Sequence, residues 1–206
     1  NKKLLAEFLA FPDTGMAGAS RSLYMDGNAT IIAANKLLAA MRKEDGTLRT
    51  YDEMKAEGIE TKYLGRYETN TTPGLCRLDP NTGIGDPTPA FTYCLNLAEV
   101  EVDTKTGKTT VLKFTCVDFV GRIGNIDAVN GQAYSGIMHG IGFALKEDYA
   151  DVKKHANMFG AGTSYIKDVP DDINLIHIDG AISDGPFGSS GASEAFQASG
   201  HCAVLH

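Results

Sequence analysis

Four glycines inside one helix-forming stretch constrain this chain more than any other feature. Residues 127–146 read as a helix, and they contain Gly131, Gly136, Gly140 and Gly142. A glycine inside a helix costs about 1 kcal/mol relative to alanine, so several in one helix need a compensating reason. Gly136 and Gly140 fall on one face, and the simplest compensation is close approach to another backbone or to a ligand. The same spacing occurs in membrane helix dimers, but Gln132, His139 and Lys146 interrupt the segment and weaken that reading.

The remaining pattern alternates between helix and strand signals. After a loop of small residues, Ser20 is a candidate N-cap for a helix whose Ile31, Ala34, Leu37, Leu38 and Met41 recur at helical spacing, with a stop near Gly46. Residues 50–58 suggest a second, short helix. Residues 69–89, rich in Thr, Gly, Pro, Asn and Asp, read as a long ordered loop in which Leu75, Cys76 and Leu78 are able to pack. The strongest hairpin signal is 91–102 and 109–117, two β-branched runs around the polar turn 103–108. That turn exceeds two residues, which predicts a bulged or longer connection. Residues 149–166 read as irregular after a short helix, 172–179 as a strand, and 197–204 as part of a terminal helix. The expected fold class is α/β (α+β): mixed sheets with packed helices in two lobes, approximately 1–125 and 126–206.

Composition removes several function classes. The chain has 206 residues, a net charge of −7 and a pI near 5.2, which argues against a broad nucleic-acid footprint. Backbone amides can still bind an anionic cofactor against that net charge. Cys76, Cys94, Cys116 and Cys202 form no CxxC pair and read as reduced, buried thiols of a cytoplasmic protein. No apolar run has membrane-spanning length, and no secretory signal is visible, so the Asn-x-Thr triplets at Asn28 and Asn70 read as chance. The five histidines show no metal-ligand spacing, and no Gly-x-Ser-x-Gly elbow exists, so no metal ligand and no serine nucleophile is assigned. The chain opens at Asn1 without Met and closes at His206 inside a helical pattern, which reads as a piece of a longer polypeptide.

Three small-residue junctions each precede a helix: Gly18-Ala19-Ser20, residues 121–125, and residues 188–193. Helix starts present unpaired amides and a partial positive charge, so three converging starts would form an anion site. Three separate ones would be ordinary α/β turns. The last junction delivers a lone carboxylate, Glu194, which can serve as a general base or simply complement a helix dipole. Gln132 can both donate and accept beside such a site, and Arg21 can reach a phosphate; each also suits an ordinary surface position. No junction matches a P-loop or the dinucleotide fingerprint.

Four motifs, in order, resemble the molybdenum hydroxylases, the xanthine oxidase and aldehyde oxidoreductase family. They are Gly18-Ala19-Ser20-Arg21 with Gly27-Asn28-Ala29, the hairpin from Glu99 to Gly107, the glycine helix from Gly131-Gln132 to Glu147-Asp148, and Gly185-Pro186-Phe187-Gly188-x-x-Gly191-x-x-Glu194. The resemblance runs from about Phe11 to the C-terminus and is nearest to bacterial aldehyde oxidoreductases that use molybdopterin cytosine dinucleotide. It implies the C-terminal part of a molybdenum-binding region, with Glu194 as general base in the hydroxylation of an aldehyde or N-heterocycle carbon by water. It implies that Gly18, Ala19, Ser20, Arg21, Gly124, Asn125, Gln132, Gly191 and Ser193 contact the cofactor. Iron–sulfur clusters and FAD would sit on N-terminal domains absent from this chain, the whole enzyme would be able to form a homodimer, and the fragment alone would be inactive. Two departures stand out. The family has Gly where Ser193 stands, and Leu-Pro or Pro-Pro where Ala195-Phe196 stands, so that Phe196 is expected to reshape the pocket beside Glu194. A non-catalytic nucleotide- or phosphate-binding module and a degenerate, inactive relative remain as alternative readings.

Overall fold

The computed structural model of the chain describes residues 18–68, 81–82, 84, 90–181 and 185–206. The expected loop at 69–89, with Leu75, Cys76 and Leu78, lies almost wholly outside them. In chain order the described elements are α1 (Ser22–Met41), α2 (Tyr51–Ala56), β1 (Tyr93–Val102), β2 (Thr109–Phe119), α3 (Ile126–Leu145), α4 (Met158–Ala161), β3 (Asp172–His177) and α5 (Glu194–Leu205). Short 3-10 turns occupy Ile166–Asp168 and Pro186–Gly188.

β1 and β2 form the expected antiparallel hairpin. Its turn is held by the Asp103 carboxylate, which accepts from the Lys105 amide and the Thr106 hydroxyl, both at 2.8 Å. Gly107 supplies the left-handed φ of 74° that the longer connection needs. The register shifts between Glu99 and Val100, a bulge that interrupts the ladder. β3 pairs with β2 in parallel, giving a mixed three-stranded sheet of order β1-β2-β3. A parallel neighbour demands a long crossover, and α3 lies within it. The mixed α/β class expected from the alternating signals is therefore the one observed.

The reason for the glycines is visible where α3 meets α5. A Cβ on Gly136 would stand 2.6 Å from Phe196 Cβ, and one on Gly140 would stand 2.9 Å from the His201 amide nitrogen. The two helices thus approach backbone to backbone, and together they cover one face of the sheet. Phe114 and Cys116 of β2, Ile137 and Ile141 of α3, and Phe196 of α5 are almost wholly excluded from solvent there. This corrects the expectation for Phe196. Two residues on from Glu194, a helical turn carries position 196 about 200° round the axis, so its ring enters the core and lies in neither pocket wall described below. No described helix is long and apolar enough to cross a membrane.

α1 departs from its sequence reading in two ways. Ser20 does not cap it: Arg21 occupies the cap position without a side-chain cap bond, while Ala19 and Ser20 take left-handed φ values of 60° and 57°. A capping serine needs an extended backbone, which Ser20 lacks. The apolar stripe is not buried either, since Ile31 is 40% and Leu38 44% exposed and only Tyr24 is buried in this helix. The helix instead approaches the glycine loop through Gly27, whose Cβ would stand 2.7 Å from Pro186 Cγ. α2 follows its sequence signal closely. Thr50 and Glu53 close a reciprocal capping box, and Gly58 turns the chain out at φ 71°.

A buried polar link joins β2, β3 and α3. His177 Nδ1 lies 2.6 Å from Asp118 Oδ2 and its Nε2 lies 2.7 Å from Asn130 Oδ1. Burial pushes the Asp118 carboxyl up from the usual carboxylate range, and the facing imidazole pulls it back. Asp118→Asn is expected to cost about 2 kcal/mol, because the hydrogen bond loses its charged acceptor in a site closed to water. The denaturant midpoint reads this directly, and an unchanged midpoint would mean the link contributes nothing.

Candidate cofactor site

The three junctions are tied together by main chain. The Ala192 amide donates to Ala19 O at 2.7 Å, Arg122 N to Gly188 O at 3.0 Å, and Ser190 N to Val120 O at 3.1 Å. Gly121 makes the second and third bonds possible. It sits at φ 76°, and a Cβ there would stand 2.6 Å from Gly188 O. Side chains brace the far side of the loop, with the Thr92 hydroxyl donating to Gly191 O and the Ser190 hydroxyl to Phe91 O.

One cavity of about 680 Å³ opens among these junctions, with Ser20, Gly124, Asn125, Gln132 and Gly191 in its wall. Arg122 and Ser190 add polar groups, while Leu23, Val120 and Ile123 add apolar surface. Among the described residues no carboxylate lines it, although the chain carries a net charge of −7. Arg122 does have a nearby acid, with its Nε 3.7 Å from Asp179 Oδ1. Asn125 caps α3 by accepting from the Ala128 amide at 2.9 Å.

A smaller space of about 180 Å³ adjoins it, lined by Gln132, Ser135, Gly136, His139, Ser193, Glu194 and Gln197. Gln132 therefore belongs to both walls, and its Oε1 accepts from the Ser193 hydroxyl at 2.7 Å. Glu194 opens α5 but is exposed, and no hydrogen bond or ion pair holds its carboxylate among the described residues. The described residues therefore leave this carboxylate open on one side.

The sequence-assigned residues thus separate into three groups. Ser20, Gly124, Asn125, Gln132 and Gly191 line the large cavity, and Ser193 and Glu194 join Gln132 in the small one. Gly18, Ala19 and Arg21 line neither, and instead support the wall. Arg21 Nε donates to Gly18 O, and a Cβ on Gly191 would stand 2.6 Å from Ala19 O and 3.0 Å from Arg21 Cγ. Sequence reasoning missed Arg122, Ser190, Ser135 and His139. For two of these a signal was available, because residues 132, 135 and 139 recur at helical spacing and form a polar stripe on α3.

Ser193 holds a φ of 49°, a conformation costly for a residue with a Cβ. Ser193→Ala keeps that strain and loses the bond to Gln132, so it is expected to cost about 1 kcal/mol. Ser193→Gly loses the same bond but relieves the strain, and is expected to be near neutral. Chemical denaturation of the pair distinguishes these outcomes; equal losses would remove the strain argument.

Converging helix starts, a cavity lined by polar groups and an adjoining acid define a binding domain for an anionic cofactor. The family model for the molybdopterin cofactor-binding domain matches residues 8–170. The chain belongs to that family, the one found in the molybdenum hydroxylases. The aldehyde oxidoreductase of Megalodesulfovibrio gigas is 41% identical over 195 residues, covering 95% of this chain and 21% of that protein. The solved aldehyde oxidoreductase of Desulfovibrio desulfuricans superposes with a TM-score of 0.82 at 43% identity, covering 92% of this chain and 20% of that one. The xanthine dehydrogenase of Dictyostelium discoideum is 26% identical over 174 residues, covering 80% of this chain and 13% of its own length. The chain spans about a fifth of the length of the aldehyde oxidoreductases it matches.

The residues present fit a phosphate-bearing pterin. The larger wall offers a guanidinium, amide side chains and hydroxyls. Gly131 lines it too, and a Cβ there meets no atom within 4 Å, so the start of α3 leaves room for a ligand.

Proposed function

We propose that this chain is the C-terminal part of the molybdenum-binding region of a hydroxylase that acts on an aldehyde or N-heterocycle carbon. In this reading the cofactor is molybdopterin cytosine dinucleotide. Ser20, Arg122, Gly124, Asn125 and Gly191 hold its nucleotide portion, while Gly18, Ala19 and Arg21 keep the wall in place. When bound, the molybdenum centre accepts the electrons withdrawn from the substrate carbon. Glu194 takes the proton from the attacking water, and Gln132, held by Ser193, keeps the polar edge of the cofactor beside that carboxylate. The observation that carries the reading is the membership of Gln132 in both walls, which joins the anion-binding cavity to the space at Glu194.

The exposure of Glu194 and the small share of each relative that the chain spans both favour a site completed by other parts of a longer polypeptide. Iron–sulfur clusters, and FAD where present, belong to those parts, and so does any homodimer contact. The 206 residues alone neither retain the full cofactor nor turn over. Glu194→Gln in the full-length protein tests the assignment: molybdenum retained with oxidation of aldehyde or heterocycle lost supports a base, whereas unchanged turnover favours a binding module without chemistry.

A further inference from the structure

Two cysteines of the hairpin stand apart from the cofactor site and from each other's strand, yet their sulfurs nearly touch. Cys94 of β1 and Cys116 of β2 sit on the face covered by α5, with Sγ atoms 3.4 Å apart. Register pairs Cys94 with Asp118 and Asn96 with Cys116, so the two thiols face each other diagonally across the ladder. A disulfide has an S–S separation near 2.05 Å, so the remaining approach is about 1.4 Å. No group of three metal-ligating side chains occurs among the described residues, which leaves a covalent product rather than a bound ion.

The pair is also asymmetric. Cys94 is partly exposed, whereas Cys116 is fully buried and meets oxidant only through Cys94. We propose that Cys94 and Cys116 form a reversible dithiol–disulfide modification site whose oxidant is a low-molecular-weight disulfide. The Cys94 thiolate attacks one sulfur of that disulfide, forming a mixed disulfide and releasing one thiolate. Cys116 then attacks Cys94 Sγ, the Cys94–Cys116 bond forms, and the second thiol leaves with the Cys116 proton. One external disulfide is reduced to two thiols, and one protein dithiol is oxidised. The electrostatics agree with these roles. The hydrogen bond with Cys116, together with those involving Ser199 and Asn96, brings the Cys94 thiol down to about 7, while that same contact and burial push Cys116 up. The lowered pKa of the Cys94 thiol favours it as the attacking thiolate, and Cys116 keeps its proton until the second step.

The test uses the natively folded full-length protein and oxidised glutathione, at a concentration that converts the exposed Cys202. Free thiols are then blocked with N-ethylmaleimide, and non-reduced tryptic peptides are mapped by mass spectrometry. The expected result is peptide 78–105 joined to peptide 114–122, lost on treatment with dithiothreitol. In Cys116→Ser, Cys94 should accumulate as a stable glutathione adduct, and in Cys94→Ser, Cys116 should stay unmodified. Recovery of wild-type Cys94 as a lasting glutathione adduct, or of both thiols blocked by maleimide, overturns the proposal.

Discussion

Gly140→Val is expected to lower the stability of the fold by about 3 kcal/mol, seen as a reduced denaturant midpoint with an unchanged slope. The cause is backbone against backbone. A Cβ at 140 already stands 2.9 Å from His201 N and 3.1 Å from Gly200 C, so even alanine requires the helices to separate. Valine adds two methyl groups on the same side and offers no rotamer that escapes both. Separation of α3 from α5 would also loosen Phe196 and Ile137, which are fully buried between the helices and the sheet. Gly131→Ala is the control. Its Cβ meets nothing within 4 Å, so the helix propensity gained should stabilise the ligand-free chain by up to about 1 kcal/mol. Equal effects at the two positions would show that propensity, rather than helix contact, governs these glycines.

Glu194→Gln in the full-length protein is expected to reduce turnover about 1,000-fold, within the range typical for loss of a general base. Glutamine preserves the size of the side chain and loses only the ability to take up the proton. Molybdenum content and substrate affinity should therefore stay close to wild type. The small pocket contains a competing base, His139. His139→Gln should leave most of the turnover intact. Reversed results would move the proton-accepting role from α5 to α3.

How far the sequence led can be judged element by element. The hairpin, the short helix α2 and the paired glycines of α3 were all readable, because each is set by contacts a few residues apart or by a periodicity that survives in one dimension. The large cavity was only conditionally readable. Spacing identified three helix starts, but their convergence depends on bonds such as Ala192 N to Ala19 O, which link distant parts of the chain. Phe196 and the α1 stripe show the opposite limit. A residue type indicates a wish to be buried, but only the packing partner decides where. Phe196 found the space left by Gly136, while Ile31 and Leu38 remain exposed. The parallel placement of β3 beside β2 carried no local signal, since strand order depends on the route of the crossover.

The wall of the larger cavity has a temporal consequence. Its contributors come from Ser20, from the stretch after β2 and from Gly191 just before α5, so a nascent chain cannot assemble it before Gly191 has left the ribosome. Any ligand that needs the whole wall therefore meets it only in chains where these distant segments have come together. A ligand that recognises only those molecules draws the population toward them by mass action.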